Sequence, residues 1–258
     1  MADAGYESLE NYLYLAQNGQ VTVAELSGLL NATQTTIRTD LDTMAAENRL
    51  VRIPGGAIAI PAQPVQTPVQ ETAPDALAAQ KRAIAAKTLS HIQDGDTLFL
   101  NSGSTTLRVA EALCARKRLC VVTNSIRAAE VLAGYPETHV VLLGGEINAI
   151  YGFTFGDDAV QQLERYQPAW AILSVDGVNA AQGITTYHAE EAMVNRIMIQ
   201  QAHQVIVAAD RRKVGRAGFT GICRLDDCFT VITDSGARPE ELDEIRATGA
   251  AVEVAEEA

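Results

Sequence analysis

Seven short apolar runs, most of them separated by helix-patterned stretches, constrain this chain more than any other feature. They are Thr97–Leu100, Leu119–Thr123, His139–Leu143, Ala169–Val175, Gln204–Ala209, Cys228–Thr233 and a last run, AAVEV. Each has the length and apolar content of a strand buried on both faces. Between most of them lie segments such as TTLRVAEALCAR and EEAMVNRIMIQQA, patterned for helix. Strands that alternate with helices pair in parallel and carry helices on both sheet faces, so this part is an α/β layered domain. With 258 residues, 47% of them hydrophobic, the chain has enough material for a substantial core and for two domains of unequal size.

The division falls at PAQPVQTPVQETAP, residues 61–74, which holds four of the eight prolines and no lysine or arginine. That composition favours extended, semi-rigid backbone and reads as a linker. It separates a small unit, residues 1–60, from a larger one, residues 75–258, which begins with the alanine-rich helix DALAAQKRAIAAKTLSHI. In the small unit, Thr22 and Glu25 have capping-box spacing, and Leu26, Leu29 and Leu30 supply an apolar stripe. After NATQ, Thr33 is placed to cap a second helix in which Ile37, Leu41 and Met44 recur on one face. RLVRIPGGAIAI then offers two β-prone runs around Pro-Gly-Gly, a hairpin or wing. Helix, helix, turn, helix and wing make a winged helix-turn-helix, whose second helix of the pair enters the major groove of DNA.

Charge makes this reading demanding. The net charge is −12, which argues against a general nucleic-acid or anionic-membrane binder. Up to residue 60, three arginines (Arg38, Arg49, Arg52) stand against seven acids. Strong DNA binders neutralise roughly 6 to 10 phosphates, so one such head binds weakly. Uncharged donors must supply the rest: Thr33, Gln34, Thr35, Thr36 and Thr39 join Arg38 and Arg52 as the expected DNA contacts. Linked heads then multiply weak affinities, so a homo-oligomer, dimer or tetramer, is expected.

In the larger unit, NSGSTT sets hydroxyl side chains around a glycine between a strand end and a helix start, where unpaired amides and the helix dipole suit a phosphate. Other strand ends carry Asn124, Gly145, Asp176 with Gly177, and Lys213. Ligands of open α/β sheets sit at such ends. A phosphate loop with a cation and hydroxyl-binding groups is what a phosphorylated sugar requires.

Both units resemble one family. ATQTTIRTDL and IPGGA are similar to the recognition helix V-S-x-x-T-I-R-R-D-L and the H-G-G-A wing of the DeoR family of bacterial transcriptional regulators. NSGSTT, VVTNSIRAAEVL, VVLLGGE, DGVNAAQGITT, EEAMVNRIMIQQA and VAADRRKVGRAGF follow the family's sensor domain in order. The resemblance implies a sensor related in fold to ribose-5-phosphate isomerase. It also implies an effector site of Ser102, Gly103, Ser104, Thr105 and Thr106 for phosphate, with Asn124, Gly145, Asp176, Gly177 and Lys213 around the sugar. The chain departs from the pattern at Ala32 for a larger apolar residue, Thr39 for the second arginine, Pro54 for histidine, Asn101 for aspartate, Asn195 for a basic residue, and Arg211 and Arg212 where the family has a serine before its lysine.

The expected function is therefore a DNA-binding transcriptional regulator, a repressor of sugar-metabolism genes released from double-stranded operator DNA by a phosphorylated sugar. An isomerase-like enzyme using Asp176 or Glu190 with Lys213, and a sensor that no longer binds DNA, are the rivals. No apolar run approaches the roughly 20 residues of a membrane span and the first residues lack a secretory signal, which places the protein in the cytoplasm. Cys114, Cys120, Cys223 and Cys228 form no C-x-x-C pair and the four histidines are scattered, so neither metal nor cofactor is expected, and the thiols read as reduced and mostly buried.

Overall fold

A computed structural model describes residues 20–46, 50–59, 77–226 and 228–256. The chain divides into two compact units, Met1–Thr72 and Ala73–Ala258. The proline-rich segment and the first expected helix of the small unit lie outside the described residues.

The head opens with strand β1 (Gln20–Thr22) and helix α1 (Val23–Leu29). Thr22 caps α1 reciprocally with Glu25: the Glu25 amide donates to Thr22 Oγ1 at 3.1 Å, and the Thr22 amide donates to Glu25 Oε2 at 2.9 Å. The apolar stripe differs from expectation. Val23 and Leu26 are buried, whereas Leu29 is 55% exposed, because this two-turn helix ends there with Leu29 on its outer side. Helix α2 (Gln34–Ala46) buries Ile37, Leu41 and Met44. Thr33 caps it, its Oγ1 accepting from the Thr36 amide at 3.2 Å. Strands β2 (Leu50–Ile53) and β3 (Gly56–Ala59) form the wing, and β1 pairs with β3 in the order β1-β3-β2. Pro-Gly-Gly is needed at the turn. Gly55 has φ +81°, and a Cβ on Gly56 would collide with the Val21 carbonyl. The third strand, β1, is too short to register as a pattern.

The sensor unit contains α3 (Ala78–Leu89), β4 (Thr97–Leu100), α4 (Ser104–Leu113), β5 (Cys120–Thr123), α5 (Ile126–Ala133), β6 (His139–Leu142), β7 (Glu146–Asn148), β8 (Phe153–Phe155) and α6 (Asp157–Leu163). It continues with β9 (Trp170–Leu173), β10 (Gly177–Asn179), β11 (Gly183–Thr186), α7 (Ala189–Gln201), β12 (Gln204–Ala208), β13 (Thr220–Cys223), β14 (Phe229–Asp234), α8 (Pro239–Arg246) and β15 (Ala251–Ala255). All seven anticipated strands fall in one parallel sheet, ordered β15-β14-β12-β9-β4-β5-β6. Alternate residues serve opposite faces. Leu98, Leu100, Val121, Ile172 and Ile206 pack with α3, α4 and α5, while Phe99, Val122, Ala171, Leu173 and Val207 pack with α6 and α7.

Two antiparallel additions escaped the sequence pattern: the β7–β8 pair and the β10-β11-β13 sheet. Their strands are three or four residues long and contain or adjoin glycines, too short for a period of two to show. The four cysteines are free. Cys228 is exposed and the others half-buried, less enclosed than expected. No described helix is long and apolar enough to cross a membrane, and no metal-binding group of histidine, cysteine or carboxylate side chains occurs among the described residues.

Candidate ligand crevice and recognition helix

From β4 the sheet runs one way through β5 and β6 and the other way through β9, β12, β14 and β15, so the chain reverses direction between β4 and β9. Open sheets form a crevice at such a reversal, outside the carboxyl ends of the strands. The loop after β4 and the segment after β9 meet there. Asn101 locks them together: its Nδ2 donates to the Ser174 carbonyl at 2.8 Å, and its Oδ1 accepts from the Ser174 amide at 2.8 Å. Gly103 follows because a Cβ there would come within 2.6 Å of Ser174 Cβ.

Ser104, Thr105 and Thr106 form the first turn of α4, where helix geometry leaves amides without intrahelical acceptors. Ser104 is exposed; Thr105 and Thr106 are buried, and Thr106 Oγ1 is turned back onto the Gly103 carbonyl at 3.1 Å. The Ser102 amide is taken by Asn124 Oδ1 at 3.1 Å, and Asn124 Nδ2 donates on to the Thr154 carbonyl at 3.1 Å. Ser102 and Asn124 thus brace the loop against β8. One residue that pattern reading missed completes this corner. Lys81 of α3, only 5% exposed, donates from Nζ to Ser104 Oγ at 2.9 Å. A cation beside a helix N-terminus gives an anion two sources of positive charge at one place. Lys81 carried no recognisable signal, because it lies 23 residues before Ser104 in an alanine-rich helix.

Asp176 and Lys213 do meet: Lys213 Nζ stands 3.1 Å from Asp176 Oδ1. Burial pushes the Asp176 carboxyl up, but the Lys213 charge and hydrogen bonds from the Tyr187 amide, Lys213 and Thr186 outweigh it and hold the pKa below the usual value. Thr186 Oγ1 lies 2.9 Å from both Asp176 Oδ2 and Glu191 Oε2. A hydroxyl has one proton to give, so one of the two carboxyls must carry its own. It is Glu191, whose enclosed carboxyl is pushed up to about 8 by burial and by the Asp176 charge. Burial and the nearby carboxylates also raise Tyr151 to about 12, and burial lowers His188. The Tyr151 and His188 rings lie 4.7 Å apart in a tilted pair. Thr186, His188, Tyr151 and Glu191 were all missed, lying on a short strand, its flank, an exposed turn and the first turn of α7. Glu190, one of the two carboxylates the isomerase reading offers beside Asp176, is exposed.

Two expected glycines have packing reasons of their own. A Cβ on Gly145, at φ +128°, would strike the Phe155 carbonyl, and one on Gly177 would meet the Arg216 carbonyl and Thr185 Oγ1 at 2.6 Å.

On the head, Gln34, Thr35, Arg38 and Thr39 are exposed along α2, and Thr36 is half-buried with its Oγ1 2.9 Å from Thr33 Oγ1. Thr39 Oγ1 is turned back onto the Thr35 carbonyl at 3.1 Å. Arg38 donates to Gln34 Oε1 at 3.2 Å. Arg52 is drawn in: its Nε stands 2.6 Å from Asp42 Oδ1 and its Nη1 donates to the Gly56 carbonyl, so it ties the wing to α2.

The chain matches the DeoR C-terminal sensor domain over residues 77–235 and the DeoR-like helix-turn-helix domain over residues 12–63. It is 33% identical over 221 residues to the HTH-type transcriptional repressor GlcR of Bacillus subtilis, covering 86% of this chain and 84% of that protein. The lactose phosphotransferase system repressor of Lactococcus lactis is 30% identical over 88% of this chain and 89% of its own. For the glycerol-3-phosphate regulon repressor of Escherichia coli the identity is 28%, over 85% of this chain and 86% of that protein. A solved ribose 5 phosphate isomerase A from Neisseria gonorrhoeae is similar over 52% of each chain, with a TM-score of 0.39 and 21% identity.

Proposed function

This chain belongs to the DeoR family of transcriptional regulators, and we propose that it is a repressor whose hold on operator DNA is relaxed by a phosphorylated sugar bound in the β4–β9 crevice. It is a DNA-binding regulator, not an enzyme. The observation that carries the effector assignment is Lys81 Nζ at 2.9 Å from Ser104 Oγ, a buried cation at the amide-rich start of α4. The phosphate sits there, with Ser102, Gly103, Ser104, Thr105 and Thr106 forming the cradle through amides and hydroxyls. Asn124 holds the cradle in place, Asp176 and Lys213 receive the sugar hydroxyls, and Gly145 and Gly177 let neighbouring backbone close around the pocket. Relatives named for a glycerol-3-phosphate regulon and a lactose phosphotransferase system support an effector of the phosphorylated-carbohydrate class.

The head reads DNA through the exposed side of α2, with Thr33, Gln34, Thr35, Thr36, Arg38 and Thr39 as contacts and Arg52 mainly bracing the wing. So few cations per head require a cytoplasmic homo-oligomer whose paired heads engage two half-sites. The effector releases DNA by binding the operator-free form more tightly. Fluorescence polarisation on the gene's own upstream duplex tests this. Specific, salt-sensitive binding that a phosphorylated sugar weakens and its unphosphorylated parent does not is the expected result. Lys81→Ala abolishes the sugar effect while leaving DNA affinity intact; equal response to both sugars would refute the phosphate cradle.

A further inference from the structure

Beyond β9, on the side of the sheet away from β4, the carboxyl ends of β12 and β14 enclose a second concavity of about 240 Å³. Four arginines line it, Arg211, Arg212, Arg216 and Arg238, in a chain whose net charge is −12. The site is built rather than incidental. Arg211 is fixed by Asp234, its amide donating to Oδ1 at 2.7 Å and its Nη1 to Oδ2 at 3.1 Å. Arg212 forks onto Asp210 through Nε at 3.1 Å and Nη2 at 3.2 Å. Both aspartates are buried. Arg238 pairs with Glu241, which also lines the cavity.

Two glycines make room for these side chains. Arg211 runs across Gly236, where a Cβ would come within 2.6 Å of Nη1, and the Glu241 carboxylate rests on Gly215, at φ +73°, where no Cβ fits. Three arginines therefore each answer one acid. Arg216, the fourth, is exposed and forms no ion pair among the described residues.

We infer that this cleft is a second anion site, separate from the β4–β9 crevice, that binds a small phosphate-type oxyanion, free or as the phosphoryl end of a metabolite. A planar carboxylate is served by a single guanidinium fork. Arg216, which forms no ion pair among the described residues, together with Arg211 and Arg238 beside it, offers a tetrahedral anion donors from two chain segments. Duplex DNA fits poorly, because α8, which contributes Glu241 to the lining, also carries Glu240, Asp243 and Glu244 and would repel an extended polyanion, whereas a small anion inside the cleft meets the arginines.

Calorimetric titration of the full chain with inorganic phosphate, pyrophosphate and a hexose phosphate tests the assignment in the wild type, Arg216→Ala, the double variant Arg216→Ala/Arg238→Ala, and Ser104→Ala, which lies at the other site. Arg216→Ala is expected to weaken uptake of at least one probe by about tenfold, since one charge-assisted hydrogen bond is lost. The double variant weakens it further, whereas Ser104→Ala weakens only the separate uptake at the β4–β9 crevice and leaves the step lost in Arg216→Ala in place. Preference for the ester identifies a metabolite; preference for inorganic phosphate or pyrophosphate identifies the free ion. Probe affinity unmoved by Arg216→Ala overturns the inference. So does loss of operator affinity in that variant with phosphate uptake intact, which would make the arginines a DNA contact. Ordinary melting of Arg216→Ala, an exposed position, shows that the fold is retained.

Discussion

The two units keep their polar residues in opposite places. All sixteen described polar or charged residues that are buried belong to the sensor, most of them at the carboxyl ends of strands: Asn101, Ser102, Asn124, Asp210 and Asp234 are typical. The head's core of Val21, Val23, Leu26, Ile37, Leu41, Met44, Leu50 and Ala57 is wholly apolar, and its polar groups lie along the outside of α2. A protein that reads a large, rigid surface can put its chemistry on the exterior of an indifferent scaffold. One that encloses a small polar ligand must bury donors and acceptors and satisfy each of them, so its fold and its site are made of the same hydrogen bonds.

The sharpest way to break this contrast is to damage the scaffold of the head alone. Leu41 is fully buried, and Leu41→Ala removes a core side chain at a cost of about 2–5 kcal/mol. So small a unit has little stability to lose. Operator binding should vanish, while a phosphorylated sugar still raises the melting temperature of the sensor. Scanning calorimetry resolves the two, and loss of the ligand-induced shift would mean that the units do not keep separate accounts of stability.

The sensor offers the reverse test, through pH. Glu191, raised from 4.5 to about 8, binds its proton more tightly folded than unfolded. Its contribution is therefore complete below about pH 4.5 and is lost as pH rises to about 8. Over that window the wild-type sensor should lose on the order of 3 kcal/mol relative to Glu191→Gln, which keeps a neutral side chain of the same shape. Asp176 runs the other way. Its lowered pKa gives stability that is lost only as pH falls below the ordinary aspartate range. Chemical denaturation at pH 5 and pH 8.5 measures the difference, and parallel profiles for wild type and Glu191→Gln would remove the shared-proton account of Thr186. The head, with no buried ionisable side chain among its described residues, should show no such window.

The same contrast explains what could be read in advance. Apolar periodicity gave the seven sheet strands and the buried face of α2, because strand and helix repeats are properties of local sequence. The strand-end residues Asp176 and Lys213 were legible because a parallel sheet puts strand ends on one side. Lys81 and Glu191 were not. Their roles depend on α3 and α7 passing near loops distant in sequence, which no spacing records. Arg52 was legible only as a cation. That it would be spent on Asp42 and the wing follows from the register of β2 against β3, with Arg52 opposite Ala57.

Departures from the family pattern are the most instructive case. Asn101 and Asn195, read separately as a lost acid and a lost base, are hydrogen-bonded to each other: Asn101 Nδ2 stands 3.1 Å from Asn195 Oδ1. Two neutral amides meet there, and the second bond is incomplete, since the buried Nδ2 of Asn195 has no partner among the described residues. Asn101→Asp turns a donor into an acceptor facing the Ser174 carbonyl and Asn195 Oδ1, at a cost of about 1–3 kcal/mol. Asn101→Asp/Asn195→Arg should recover most of it. A coupling energy near zero in that double-mutant cycle would show that the two side chains do not act as a pair.

On the head the corresponding departure, Thr39 for arginine, has no partner to complicate it. Thr39 is exposed and its hydroxyl only bonds back to the Thr35 carbonyl, so Thr39→Arg should change stability by no more than about 0.5 kcal/mol. If α2 faces the phosphate backbone, each head gains one charged contact. The plot of log affinity against log salt then steepens by about 0.9 per engaged head, and binding tightens by about 1 kcal/mol at low salt. Arg38→Ala should flatten the same plot by a similar amount. A steepening of about 0.9 indicates one head on the duplex and about 1.8 indicates two, so the measurement also counts heads. Slopes unchanged in both variants would show that this side of α2 does not meet DNA, and that the head's exposed polarity serves something other than a duplex.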